Sequence, residues 1–219
     1  MPPGKRPLRE IIYTDLRKQI RSGRLLPGLR LIESSLAENL KVSRTIIREV
    51  MKQLELEGWV KIIPYKGAEV SRFSLDAIRE LYCIQAALEG LAAGLATPKI
   101  SRKEIRELRR VQKRLCKSLR EDATQWQALN IQFHQFFLDR CGNERLQNLI
   151  KTHHDQFARY WRIILSIPGQ REKNTEAHEK ILGALEKGDS FQVRLNMERH
   201  IQTVAQKLIE FLAENAFLI

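Results

Sequence analysis

The chain has 219 residues, with 38 Lys and Arg against 26 Asp and Glu and a formal charge of +12. Hydrophobic residues are 43% and charged residues 29%, enough apolar material for one large or two modest domains and too much for a disordered chain. No window reaches the roughly 20 apolar residues of a membrane span, and the start Met1-Pro2-Pro3-Gly4-Lys5-Arg6 leads into no apolar signal core, so a cytoplasmic protein with no membrane partner is expected.

The charge is unevenly placed. Residues 1–72 hold 15 Lys and Arg and 8 Asp and Glu, a net +7, whereas residues 73–219 hold 23 and 18, a net +5. A basic first third points to an anionic partner such as nucleic acid, or to a basic surface that is merely solvated. The cysteines Cys83, Cys116 and Cys141 form no CxxC pair and are expected to be buried or inert thiols.

In chain order, Leu8 to Ser22 predicts an amphipathic helix, with Leu8, Ile11, Ile12, Leu16 and Ile20 at helical spacing. Gly23 and Leu26-Pro27-Gly28 end it in a turn. Glu33 to Leu40 predicts a short helix that Ser34 or Ser35 could cap, and Ser43 an N-cap for a third helix, Arg44 to Glu57. Ile46, Val50, Leu54 and Leu56 are its expected buried side. Trp59 to Ile63 and Ala68 to Arg72 flank Pro64-Tyr65-Lys66-Gly67 and predict a β-hairpin with a basic tip.

From Ser74 the pattern becomes long helices: Leu75 to Ala96, Ser101 to Arg120 with a Ser101/Glu104 capping box, Thr124 to Cys141, Asn143 to Ser166, Glu172 to Lys187 and Ser190 to Phe217. The expected fold is thus mostly α. It has an N-terminal winged helix-turn-helix over residues 1–73 and a six-helix antiparallel bundle over residues 74–219, joined by a hinge at Val70 to Ser74. Ser101 to Arg120 and the preceding Lys99 carry ten Lys and Arg, expected on a solvated face opposite Ile105, Leu108, Val111, Leu115 and Leu119.

In a winged helix-turn-helix the third helix enters the major groove and its first turn reaches base edges. Ser43, Arg44, Thr45 and Arg48 occupy that end, and Arg44 and Arg48 share a face. Arginine suits bidentate recognition of guanine. Lys66 offers a cation at the tip, and Gly67 a place where backbone approaches DNA closely.

Pro27-Gly28-x-Arg30-Leu31, Leu36-Ala37-Glu38, Val42-Ser43-Arg44-Thr45-x-x-Arg48-Glu49, Leu54-x-x-Glu57-Gly58-Trp59-Val60 and Gly67-Ala68-x-Val70 resemble the DNA-binding domain of GntR-family bacterial transcription regulators. The resemblance implies that Arg44, Thr45 and Arg48 read an operator in double-stranded DNA. It also implies that Arg30, Ser43 and the wing tip Tyr65-Lys66-Gly67 lie against it. Where many relatives carry a base early in the second helix, this chain has Ser34-Ser35, whose hydroxyls could still bond a phosphate.

The bundle carries a second candidate site. Asn130 and His134 share one helix face, His178 precedes Ile181 and Leu182 by a turn, and His200 lies between Met197 and Val204. Three inward histidines suit a divalent transition metal such as Zn or Ni; three separately satisfied core histidines are the alternative. His153 also falls on an apolar face and fits either the site or packing.

Leu81-Tyr82, Leu88-Glu89, Phe133-His134, Cys141-Gly142-Asn143, Glu176-x-His178-x-x-Ile181-Leu182 and Met197-x-x-His200 resemble the FCD effector domain of the FadR-type branch of that family. This implies a metal held by Asn130, His134, His178 and His200, a small-molecule effector beside it, and a homodimer on a palindromic operator, repression being the commoner mode. Asn130 stands where Asp is usual, and a neutral amide is the weaker ligand. Gln85 stands where the family often has an Arg that pairs with a carboxylate effector, and Gln makes no charged fork. The effector is then either less acidic, or an organic acid held by the metal and by Arg159 or Arg162. Alternatives are a bundle that serves only as a dimerisation scaffold, and a metal-dependent enzyme, against which no carboxylate base is identifiable beside the ligands.

Overall fold

A computed structural model describes residues 7–64, 66–120, 123–157 and 160–215. The chain divides into two compact units between Ser74 and Leu75. No helix among the described residues is long and apolar enough to cross a membrane.

The first unit comprises α1 (Leu8–Arg21), β1 (Arg30–Leu31), α2 (Glu33–Leu40), α3 (Arg44–Leu56), β2 (Val60–Ile63) and β3 (Gly67–Val70). Ser43 caps α3, its hydroxyl accepting from the Ile46 amide at 3.3 Å, as its sequence position predicts. Ile12, Leu16 and Ile20 of α1 pack on Ile47, Val50, Met51 and Leu54 of α3 and on Trp59, Val60 and Val70 of the hairpin. Tyr13 ties α1 to the end of α3, its hydroxyl donating to Glu57 at 2.5 Å, while the Trp59 indole donates to the same carboxylate.

Several expectations are corrected. Leu56 is 89% exposed, and Ile47 and Met51 take the buried positions instead, because the inward stripe of α3 runs through 47, 50, 51 and 54. Leu8 and Ile11 are exposed. The cap of α2 is Ile32, without a side-chain hydrogen bond; Ser34 and Ser35 already lie inside the first turn. The two-residue β1 is too short to show a periodicity. It makes a three-stranded antiparallel sheet in the order β1-β3-β2, with Leu31 opposite Ala68 and Ile62 opposite Ala68 from the other side. Gly67 has a φ of +90°, and a Cβ there would lie 2.5 Å from the Leu31 carbonyl oxygen. The close approach that requires glycine is therefore inside the sheet, between β3 and β1.

The second unit comprises α4 (Leu75–Ala96), a 3-10 turn (Thr97–Lys99), α5 (Arg102–Ser118), α6 (Ala123–Arg140), α7 (Glu144–Phe157), α8 (Trp161–Ser166), α9 (Gln170–Glu186) and α10 (Ser190–Glu214). The predicted helix from Asn143 to Ser166 is divided into α7 and α8, so the described residues of this unit form seven α-helices where six were expected. The Ser101/Glu104 capping box is present in both halves. The core is built on Leu108, Leu115, Trp126, Phe133, Phe137, Ile181, Leu182 and Met197. Its buried polar atoms are paired where Trp126 donates to Thr175 Oγ1 at 3.2 Å and Gln112 donates to the Thr175 carbonyl at 2.8 Å. Gly90 lets α10 approach α4, since a Cβ there would collide with the Glu198 side chain.

Most basic residues of α5 are exposed, as expected, and Arg109 pairs with Glu179 and Glu186 of α9. Cys141 is buried, but Cys83 and Cys116 are exposed, because they lie off the inward stripes of α4 and α5.

Candidate DNA groove and histidine centre

In the first unit, the start of α2, the first turns of α3 and the hairpin enclose a groove of about 680 Å³. Arg30, Ser34, Arg44, Arg48, Lys66 and Gly67 all line it, together with Glu33 and the hairpin residues Ile62, Ile63 and Pro64. Four cations thus face one concave surface at a helix N-terminus, an arrangement that attracts phosphate. Arg48 is held by Glu33, Nη2 to Oε2 at 3.1 Å, and Arg30 Nε donates to the Lys66 carbonyl at 2.9 Å. Both guanidiniums are therefore positioned before any ligand arrives. Thr45 is exposed on the first turn of α3 but does not line the groove, and the Ser43 hydroxyl is engaged in its cap. Tyr65 lies outside the described residues.

In the second unit, His134 of α6, His178 of α9 and His200 of α10 converge. His178 Nε2 is 3.2 Å from His134 Nε2 and 3.3 Å from His200 Nε2. These helices meet here because each histidine sits on the inward stripe of its helix. His178 and His200 are buried, and Phe133 stacks flat on the His178 ring at 4.0 Å. Burial, then the neighbouring imidazoles, push the His178 pKa well below its usual value, and burial with His134 takes His200 down to about 3. The His178 and His200 rings are neutral at physiological pH, as metal ligation requires.

The geometry fits a metal ion. Nitrogens roughly 2.0–2.1 Å from a common ion in tetrahedral order lie roughly 3.3–3.4 Å apart, close to both observed separations. Glu89 of α4 accepts from His134 Nδ1 at 2.6 Å, leaving the Nε2 lone pair free to face the other two rings. Asn130 is buried, its Oδ1 has no hydrogen-bond partner, and it lines a cavity of about 50 Å³ with His134 and His200. Glu89, Ile131 and His134 also wall a second cavity of about 310 Å³ bordered by α7.

Gln85 lines the smaller cavity. Arg162 is exposed and is not in the lining of either cavity, and His153 is half-buried and apart from the triad. Arg159 lies outside the described residues. Glu89 is the functional candidate that sequence reasoning passed over as a site. Its signal is a carboxylate four residues after Gln85 on the same face of α4 as buried Tyr82 and Ile78.

A winged helix-turn-helix with a cationic groove, in a chain whose second unit is all-helical and holds a buried histidine cluster, points to a DNA-binding regulator. Comparison with known proteins makes this specific. Residues 8–70 match the model for bacterial regulatory proteins of the gntR family, and residues 80–203 match the FCD domain. The chain belongs to the GntR family of bacterial transcription regulators, with an FCD domain, and is a regulator rather than an enzyme. It is 28% identical over 206 residues to the uncharacterised HTH-type transcriptional regulator YdhC of Bacillus subtilis, covering 92% of this chain and 91% of that one. It is 24% identical over 212 residues to the HTH-type transcriptional repressor RspR of Escherichia coli, covering 96% and 92%. Among solved structures, E. coli McbR/YncC superposes with a TM-score of 0.68 at 22% identity over 94% of this chain and 99% of that one, which is a likeness of fold.

Proposed function

We propose that the chain is a metal-loaded, effector-responsive repressor that binds a palindromic operator as a homodimer. Arg30, Arg44, Arg48 and Lys66 contact the DNA. Asn130, His134, His178 and His200 hold a divalent transition metal, and a small organic acid binds beside it. The observation that carries the metal reading is the convergence of three Nε2 atoms, with His178 at 3.2 and 3.3 Å from the other two, on the wall of a cavity that Asn130 and Gln85 also line.

The metal supplies a Lewis-acidic anchor for a carboxylate. The chain's own residues do the rest: Glu89 fixes the His134 tautomer, Phe133 fixes the His178 ring, and Gln85 meets the ligand from α4. In a dimer, two α3 helices about one turn apart, roughly 34–36 Å, match two half-sites. A ligand with unequal affinity for the DNA-competent and DNA-incompetent arrangements shifts their populations. The E. coli relative named a repressor supports that mode here.

Fluorescence anisotropy with the promoter DNA beside the chain's own gene tests the reading. The zinc-loaded protein should bind that DNA, and a panel of small carboxylic acids should contain at least one that releases it. Operator affinity indifferent to both metal and every acid would favour a bundle that only dimerises.

A further inference from the structure

Among the described residues, Glu33 is the one carboxylate that lines the cationic groove of the first unit. It stands in the first turn of α2, on a surface where an anion repels the phosphates that the groove otherwise attracts. Its Oε2 accepts from Arg48 Nε at 3.3 Å and from Arg48 Nη2 at 3.1 Å. Among the described residues, no other cation of the groove is paired with a carboxylate.

Both bonds engage the Nε edge of the guanidinium. The outer edge, formed by Nη1 and Nη2, stays open, and it carries the parallel pair of donors that matches guanine O6 and N7. An exposed arginine without such a partner turns to any phosphate within reach, a contact that carries no sequence information. We infer that Glu33 is a specificity-determining positioning residue, which holds Arg48 end-on for a guanine and withdraws it from the DNA backbone. This rests on the proposed role of the groove as the DNA-contacting face. The carboxylate acts in two ways. Its charge-assisted bonds hold the arginine in one orientation, and its negative charge lowers the attraction of the groove for DNA of any sequence. A glutamate that serves only the N-terminal end of α2, through the helix dipole, would do neither.

The test uses the full chain and a pool of random DNA duplexes, from which the wild type, Glu33→Ala, Glu33→Gln, Arg48→Ala and the Glu33→Ala/Arg48→Ala double variant each select their sites. Arg48→Ala should lose a guanine preference at one position of each half-site. Glu33→Ala should weaken the preference at that same position by at least about fivefold, the lower end of what one bidentate base contact discriminates. Glu33→Gln, which keeps an acceptor without the charge, should fall between Glu33→Ala and the wild type. In anisotropy titrations on an unselected duplex, Glu33→Ala should bind severalfold tighter than the wild type, with the slope of log affinity against log salt steeper by about 1. In the Arg48→Ala background, Glu33→Ala should change the base preference no further, since the two act as one unit. A guanine preference that survives Glu33→Ala, unselected DNA bound no tighter, or a further loss of preference in the double variant would overturn the inference and leave the DNA-contacting groove standing. A wild type that enriches no sequence, or an Arg48→Ala variant that binds DNA as the wild type does, would overturn the role of Arg48 and the inference together. Thermal unfolding midpoints confirm that each variant is folded.

Discussion

Glu89 Oε2 sits 2.6 Å from His134 Nδ1, so a carboxylate on α4 sets the tautomer of a ring on α6. Carboxylate–histidine pairs of this kind orient a ligand ring and raise its basicity, and their loss typically costs about 10–100-fold in metal affinity. Glu89→Ala should weaken zinc binding within that range, read by competition with a chromophoric chelator, and Glu89→Gln should weaken it less. Unchanged affinity in Glu89→Ala would mean that the pair serves packing alone.

The groove predicts two different DNA phenotypes. Arg44 projects from the first turn of α3 into the cationic groove, and Arg44→Ala should cost about 1–3 kcal/mol of discrimination at one base pair of each half-site. Lys66 lies at the wing. Lys66→Ala should weaken specific and non-specific DNA alike and reduce the slope of log affinity against log salt by about 1 per chain. Anisotropy titrations at several salt concentrations separate the two. Equal losses on specific and random DNA for Arg44→Ala would remove it from base reading.

Acid stability has a named contributor. The Glu104 carboxyl is held down to about 2 from an ordinary 4.5, first by the Ser101 backbone amide, then by the Ser101 hydroxyl and by Arg140. A carboxyl whose folded pKa is depressed contributes stability that is fully present above the unfolded pKa and is lost as pH falls through the folded one. The gap in urea stability between wild type and Glu104→Gln should therefore be widest at neutral pH and close as pH falls from 4.5 toward 2. A gap independent of pH would show that the ionised cap contributes nothing.

Much of this was legible in the chain itself. Ser43 and the Ser101/Glu104 box mark helix starts through local hydrogen bonding, which is encoded within four residues. The inward histidines are legible for a similar reason, since helical period alone decides which face they share. What escaped depends on partners distant in sequence. Leu31 becomes a strand residue because Ala68 lies opposite it, and Gly67 is required by the Leu31 carbonyl inside the sheet. Leu56 looks like core by hydrophobicity, yet the turn of α3 carries it outward. Glu89 reads as one more polar residue on α4 until His134, 45 positions on, is seen against it.

The central claim is that His134, His178 and His200 form one metal centre. Anomalous diffraction at the zinc absorption edge, on crystals of the zinc-loaded full chain, tests it most directly. The account predicts a single strong peak per chain enclosed by the three Nε2 atoms, lost in His178→Ala. Zinc found only at surface carboxylates, with the three rings empty between them, would contradict it.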